Sequence, residues 1–326
     1  MKKNLAIILC VFILLPTLLC SCSVKNNEDK IKIVCTLFPQ YDWVRNIVGE
    51  SENVEVSLLI KNGADPHSYQ PTAADILMLT NCDMIISSGP ESDTWVKDAL
   101  KEDTYDSIVR ISLCEIPSMS LHDISSSSGG HLHDGEEEHT HEHHGALDEH
   151  VWLSLKNAVT ATQHITEAIC KLDKQNEGKY ISNSQKYVSS LLTLDAEYAT
   201  TVGEIEASER FMIFADRFPF VYLLSDYEIG YQAAFEGCTA DVDASFDTVV
   251  DLVSEADAHN VPCIAVTESS DKALAQTVAE SVKRDGVSII TLNSMQAVSQ
   301  KSIENGITYL SEMQKNLEQI KLALSY

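Results

Sequence analysis

Six of the eleven histidines in this 326-residue chain fall within fourteen positions: His131, His133, His139, His141, His143 and His144. They are interleaved with Asp134, Glu136, Glu137, Glu138 and Glu142. Neutral imidazole nitrogens and carboxylate oxygens are the donors that zinc and its first-row neighbours take up. The run has no apolar periodicity and follows the stretch SSSSGG (Ser125 to Gly130), so it reads as a solvated loop that collects metal, with no single histidine essential. A histidine-rich linker without a metal role is the plainer alternative. At Asp148 the composition changes: DEHVWLSL (Asp148 to Leu155) is apolar enough to be ordered, and His150 lies inside it. The contrast suggests a loose metal-collecting loop that feeds an ordered metal site.

Other candidate donors sit where strands are expected to end. His67 follows a strand in GADPHSYQP, Asp216 directly follows FMIFA, Glu268 follows VPCIAVT, and Asn293 follows VSIITL. Ligands of α/β sheets bind outside the carboxyl ends of the strands, which ranks these positions above other polar residues. Taken singly, each has a duller reading: Asp216 as a helix cap, Glu268 as a surface acid, His67 as a structural histidine.

The elements that must position these groups follow from hydrophobic period. Ile31 to Leu37, Val54 to Ile60, Asp83 to Ser87 and Ile108 to Ser112 read as strands. Helical spacing covers Asp42 to Val48, a stretch opened by Thr72, and about 92–101. Leu155 to Asp173 is helical. From Gly178 to Ser208, Tyr180, Tyr187, Leu191, Leu194, Tyr198, Val202 and Ile205 recur at steps of three, four and seven, which predicts one long amphipathic helix. The alternation then restarts, with strands at 211–215, 231–235, 261–267 and 287–292. Helices are expected at Ser245 to Ala258, at Asp271 to Arg284, and in a single final helix from about Gln300 to Leu324. Alternating strands and helices over this length predict an α/β protein of two lobes, each with a small parallel sheet flanked by helices, joined by one long rigid linker helix. The expected division is 31–175 for the first lobe (with a disordered His-rich loop at 122–147), 176–208 for the linker helix and 209–326 for the second lobe.

The N-terminus, MKKNLAIILCVFILLPTLLCSC, has a basic start at Lys2 and Lys3, an apolar run broken by Pro16, and a small residue before Cys22. It reads as a secretory signal over 1–21, with residues 22–30 as a polar tether. Its LCSC ending resembles a bacterial lipobox, which implies acylation of Cys22 and a protein held on the outer face of a cell membrane. The formal charge is −26, and loss of Lys2 and Lys3 with the signal makes the balance more acidic still. Such a surface repels nucleic acid and anionic headgroups, so the membrane contact is expected from lipid and not from a basic patch. Cys35, Cys82, Cys114, Cys170, Cys238 and Cys263 form no CxxC pair, and buried free thiols are the expectation.

GADPHSYQPTAAD (Gly63 to Asp75) resembles the Gly-Ala-Asp-Pro-His-x-Tyr-x-Pro-x-x-x-Asp motif of the zinc/manganese-binding lipoproteins that serve ABC importers. DEHVWLSL resembles that family's second histidine motif, preceded as in its zinc members by a His-rich loop. Tyr41, Trp43 and the long helix also fit, and the similarity spans about Lys32 to Leu322. The resemblance implies one metal in a cleft between two lobes, with His67 and His150 as ligands. It departs in the second lobe: Phe214 to Phe220, FADRFPF, carries Ala215 where zinc-binding relatives carry a third histidine, and retains Asp216. TLNSM offers the neutral Asn293 where a carboxylate is usual, while Glu268 matches an acidic position. Asp216 and Glu268 are therefore the expected remaining ligands, with Asn293, water, a loop histidine or the Cys238 thiolate as alternatives.

Two function classes follow. The first is a monomeric extracytoplasmic receptor, not an enzyme, that takes up Zn²⁺ (or Mn²⁺) and delivers it to an ABC permease driven by its ATPase. The second is a zinc hydrolase using a metal-bound water with Glu268 as base, but HExxH and a nucleophile elbow are both missing. A metal buffer or adhesin would share the binding chemistry without transport.

Overall fold

A computed structural model describes residues 30–61, 63–123, 147–235 and 244–325. Strands β1 (Ile31–Cys35), β2 (Val54–Leu58), β3 (Met84–Ser87) and β4 (Val109–Ser112) pair in parallel in the order β2-β1-β3-β4. Strands β5 (Phe211–Phe214), β6 (Gly230–Ala233), β7 (Cys263–Thr267) and β8 (Ser288–Leu292) repeat the pattern as β6-β5-β7-β8. The runs IKIVC and CIAVT show no inside-outside alternation because helices cover both faces of a parallel sheet. In each sheet the chain leaves the first strand to one side and returns on the other. That reversal opens a crevice at the strands' carboxyl ends.

Helices α1 (Phe38–Val48), α2 (Ala73–Thr80) and α3 (Thr94–Ala99) belong to the first sheet, and α4 (Leu155–Leu172) leads into α5 (Glu177–Gly203). With 27 residues, α5 is roughly 40 Å long at 1.5 Å per residue. It buries Tyr180, Tyr187, Leu191, Leu194, Tyr198 and Val202, the stripe its spacing predicts. The second sheet carries α6 (Val221–Asp226), α7 (Phe246–Ala258), α8 (Ala273–Ser281), α9 (Gln300–Glu304) and α10 (Tyr309–Ala323).

The lobes share material. One hydrophobic cluster runs from Ile33 and Trp43 through Trp152 and Leu191 to Phe214, Tyr222 and Tyr309. A second cluster, with Ile213, Ala215, Ile264 and Val266, lies within the second lobe. Hydrogen bonds reinforce the junction. Asn183 Nδ2 of α5 donates to the Ile47 carbonyl (3.1 Å), Tyr187 Oη to Asp42 Oδ2 (3.2 Å), and the Tyr309 amide to the same Asp42 oxygen (3.2 Å). Trp152 Nε1 donates to the Ser294 carbonyl at 2.9 Å and Tyr309 Oη to the Trp152 carbonyl at 2.6 Å. Helix α5 is thus bonded to the first lobe near its start, and the lobes are bonded to each other through Tyr309, Trp152 and Ser294, which favours local shifts over wide hinge opening.

Asp42 has a thermodynamic consequence. Burial pushes its carboxyl up to about 6 from the usual 3.8, against the Tyr309 amide, the Tyr187 hydroxyl and the Arg45 charge, which pull it down. The native protein therefore holds this proton more tightly than the unfolded chain, and stability falls as pH rises through the window between those two values. Asp42→Asn is expected to flatten that part of the stability profile by about 2–3 kcal/mol, at about 1.4 kcal/mol per unit. Urea titrations of both proteins at pH 4 and pH 7 check it.

Three expectations need correction. The long helix stops at Gly203, and a single 3-10 turn at Ala207–Glu209 follows. The final helix is two, because Gly306 adopts a left-handed φ of 86° and Thr308 caps a fresh start with Ser311. Helix α6 was not expected at all: Val221, Tyr222, Leu223 and Leu224 are all buried, so no polar face marks a period. The His-rich loop, Cys22 and Cys238 lie outside the described residues. Cys35, Cys82, Cys114, Cys170 and Cys263 are free and buried. Burial pushes the Cys82 thiol up to about 12 and holds it as a neutral, non-ligating group.

Candidate metal centre

His67 and His150 reach the same place from separate loops. Pro66–Ser68 forms one 3-10 turn after β2, capped by Asp65, whose Oδ1 accepts from the His67 amide at 2.9 Å. Val151–Leu153 forms another, with His150 at its N-cap. The two imidazole centroids lie 5.5 Å apart with the rings tilted by 49°. A tetrahedral ion with Zn–N of about 2.0–2.1 Å places two imidazole centroids roughly 5 Å apart, so this spacing suits a shared ion.

The surroundings aim the rings. His150 is 3% exposed, packs edge-on against Trp152 at 5.2 Å, and has Nδ1 2.9 Å from Asp148 Oδ1. A proton on Nδ1 directed at that carboxylate fixes the ring's tautomer and orientation, the usual backing of a metal-binding histidine. His67 Nδ1 faces Ser92 Oγ at 3.5 Å. Glu149, next to His150, accepts from the Glu91 amide (2.6 Å) and the Ser92 amide (2.8 Å), tying the His150 segment to the turn after β3 whose Ser92 hydroxyl faces His67. A Cβ on Gly89 would lie 2.3 Å from Glu149 Oε1, so only glycine lets that carboxylate sit there. Asp93 locks the same loop, accepting from the Ser88 amide at 2.6 Å and from Thr36 Oγ1 at 3.2 Å.

The expected second-lobe carboxylates follow β5 and β7 and line a cavity that neither His67 nor His150 lines. Asp216 Oδ2 accepts from the Thr267 amide (2.8 Å) and hydroxyl (2.6 Å), which fixes it between the ends of β5 and β7. Glu268 accepts from the Ser294 amide (2.9 Å) and hydroxyl (2.7 Å). Both line a cavity of about 380 Å³ together with Gly63, Asp65, Arg217 and Ser294. Asn293 is used elsewhere: its Nδ2 donates to Glu312 at 2.7 Å and its Oδ1 accepts from the Met295 amide. Ala215 is packed with Ile213 in the second-lobe core, so position 215 contributes packing rather than a cleft donor. Among the described residues, no three of His, Cys, Asp and Glu gather as a metal-holding group. The histidine pair and the acidic pair are two separate groups of donors.

The reading by residue type missed Glu149, Ser92 and Arg217. Their only signals were a buried acid inside an apolar motif, a polar turn around Gly89, and a base between two cleft-forming positions.

Residues 33–323 match the family model described as zinc-uptake complex component A, periplasmic. The chain belongs to this family. A Bacillus subtilis relative, the high-affinity zinc uptake system protein ZnuA, is 30% identical over 310 residues, covering 93% of this chain and 90% of the relative. The zinc-binding lipoprotein AdcA of Streptococcus pneumoniae (strain R6) is 28% identical over 320 residues, where the match takes in 98% of this chain but 60% of the relative. This chain therefore spans about three fifths of the AdcA length. The crystal structure of the metal-dependent lipoprotein YcdH from Bacillus subtilis superposes with a TM-score of 0.72 at 26% identity, covering 91% of this chain and all of that one. The periplasmic zinc-binding protein TroA from Treponema pallidum shares the fold, with a TM-score of 0.71 at 24% identity. The two parallel four-stranded sheets are those of this two-lobe family.

Proposed function

We propose that this member of the family is an extracytoplasmic receptor that captures Zn²⁺ between its lobes and hands it to an ABC permease powered by a cytoplasmic ATPase. The observation that carries the reading is the pair of imidazoles 5.5 Å apart, one backed by a buried carboxylate. His67 and His150 supply nitrogen donors, and Asp216 and Glu268 are the carboxylates that complete the shell when the walls approach. Two imidazoles favour zinc over manganese, which prefers oxygen. The zinc named in the ZnuA and AdcA relatives points the same way. Removal of a signal at 1–21 and a lipid on Cys22 would leave the receptor anchored at the outer face of the cell membrane. The receptor binds and releases its cargo and catalyses no reaction.

The test is a zinc titration against a competing chelator, on the mature chain and on a variant lacking residues 125–145. One tight site per chain is expected in both proteins, with additional weak sites only in the first. Loss of the tight site on deletion would place the ion in the His-rich segment and sink the cleft assignment.

A further inference from the structure

Of the described residues lining the cavity, Arg217 is the one cation, among the carboxylates of Asp65, Asp216, Glu268 and Asp271. Its guanidinium leaves the end of β5, beside Asp216, and crosses to the loop of the first lobe that carries His67. There Nη1 meets Asp65 Oδ2 at 2.7 Å. Three of these acids are not held alike. Asp216 and Glu268 are fixed by neutral amide and hydroxyl donors, which remain as partners whatever charge enters the cleft. Asp65 has one oxygen on the neutral His67 amide and the other on a charge. Both members of that pair are about a third exposed, so the bridge is partly hydrated and weak enough to exchange.

We infer that Arg217 is an affinity-setting residue: its guanidinium competes with the captured cation for the carboxylates of the cleft, through an exchangeable bridge to Asp65. The reasoning is electrostatic. A permanent positive charge lining the same cavity as the proposed ligands Asp216 and Glu268 raises the energy of a doubly charged ion that those carboxylates hold, and the bridge to Asp65 neutralises a carboxylate that would otherwise attract it. A receptor that must let go gains from such a competitor, because the guanidinium takes over an acid as the ion leaves. The inference rests on the receptor reading above.

The experiment measures Zn²⁺ affinity by chelator competition, and Zn²⁺ release by transfer to excess chelator, at fixed pH and ionic strength. Arg217→Gln is expected to bind on the order of tenfold tighter and to release correspondingly more slowly, from the lost repulsion at partly screened range. Arg217→Lys, which keeps the charge, should stay within about threefold of the parent. Asp65→Asn keeps the cap on His67 but leaves the guanidinium unneutralised. It should weaken binding, and adding Arg217→Gln in that background should restore it. Equal or weaker binding by a folded Arg217→Gln protein overturns the inference. If that variant does not fold, unchanged or tighter binding by Asp65→Asn overturns it instead. A parent protein that binds no zinc removes the receptor reading and this inference with it. A parent that binds while Arg217→Gln fails to tighten removes this inference alone.

Discussion

Replacing His67 with alanine is expected to weaken zinc binding by roughly 100-fold or more and to remove the single tight site. Tight tetrahedral zinc sites have apparent free energies of about 10–16 kcal/mol over four ligands, so each ligand is worth about 3 kcal/mol. At 1.4 kcal/mol per decade this is about two powers of ten. His150→Ala should match or exceed it, because it also takes the imidazole partner from the buried carboxylate of Asp148, which keeps the residue-150 amide. Asp148→Asn is the graded control, expected to cost about 10–100-fold by loosening the ring it orients. Chelator competition on the four proteins reads the series. Zinc affinity unchanged in His67→Ala would mean that the two rings are neighbours for reasons of packing alone.

Tyr309→Ala is expected to cost about 3–5 kcal/mol in stability, the range for removing a fully buried aromatic. Tyr309 is fully buried, its ring meets Trp43 edge-on at 5.4 Å, its hydroxyl donates to the Trp152 carbonyl, and its amide donates to Asp42. It sits where α10 of the second lobe meets α1 and the segment after His150. Tyr309→Phe should cost only about 1–2 kcal/mol, the share of one buried hydrogen bond. Urea unfolding of both variants measures the difference. A Tyr309→Ala midpoint close to the parent's would show that the lobes do not depend on this contact.

The fold was legible because its strands and helices are locally consistent. The apolar runs at β1 and β7 and the tyrosine-leucine stripe of α5 each report burial through period alone. Thr72 with Asp75, and Ser245, cap their helices as their residue types suggest. The failures share a cause. Helix α6 buries its first four residues and is too short for its exposed Ser225 to mark a period, and the break at Gly306 depends on one residue taking a left-handed turn that glycine permits but does not require.

The sequence by itself determined which residues can carry the chemistry: two histidines in motifs about eighty positions apart, acids at strand ends, and an α/β alternation that puts loops where those acids stand. Residue type and period are local properties, and one chain displays them without folding. Only the tertiary structure decided that the His67 and His150 rings meet, that Asp148 and Glu149 brace them, that Asn293 turns to Glu312, and that Arg217 spans the cleft to Asp65. Those are contacts between segments far apart in the chain, set by how the two lobes pack against α5 and one another, and no local pattern encodes a distance across a cleft.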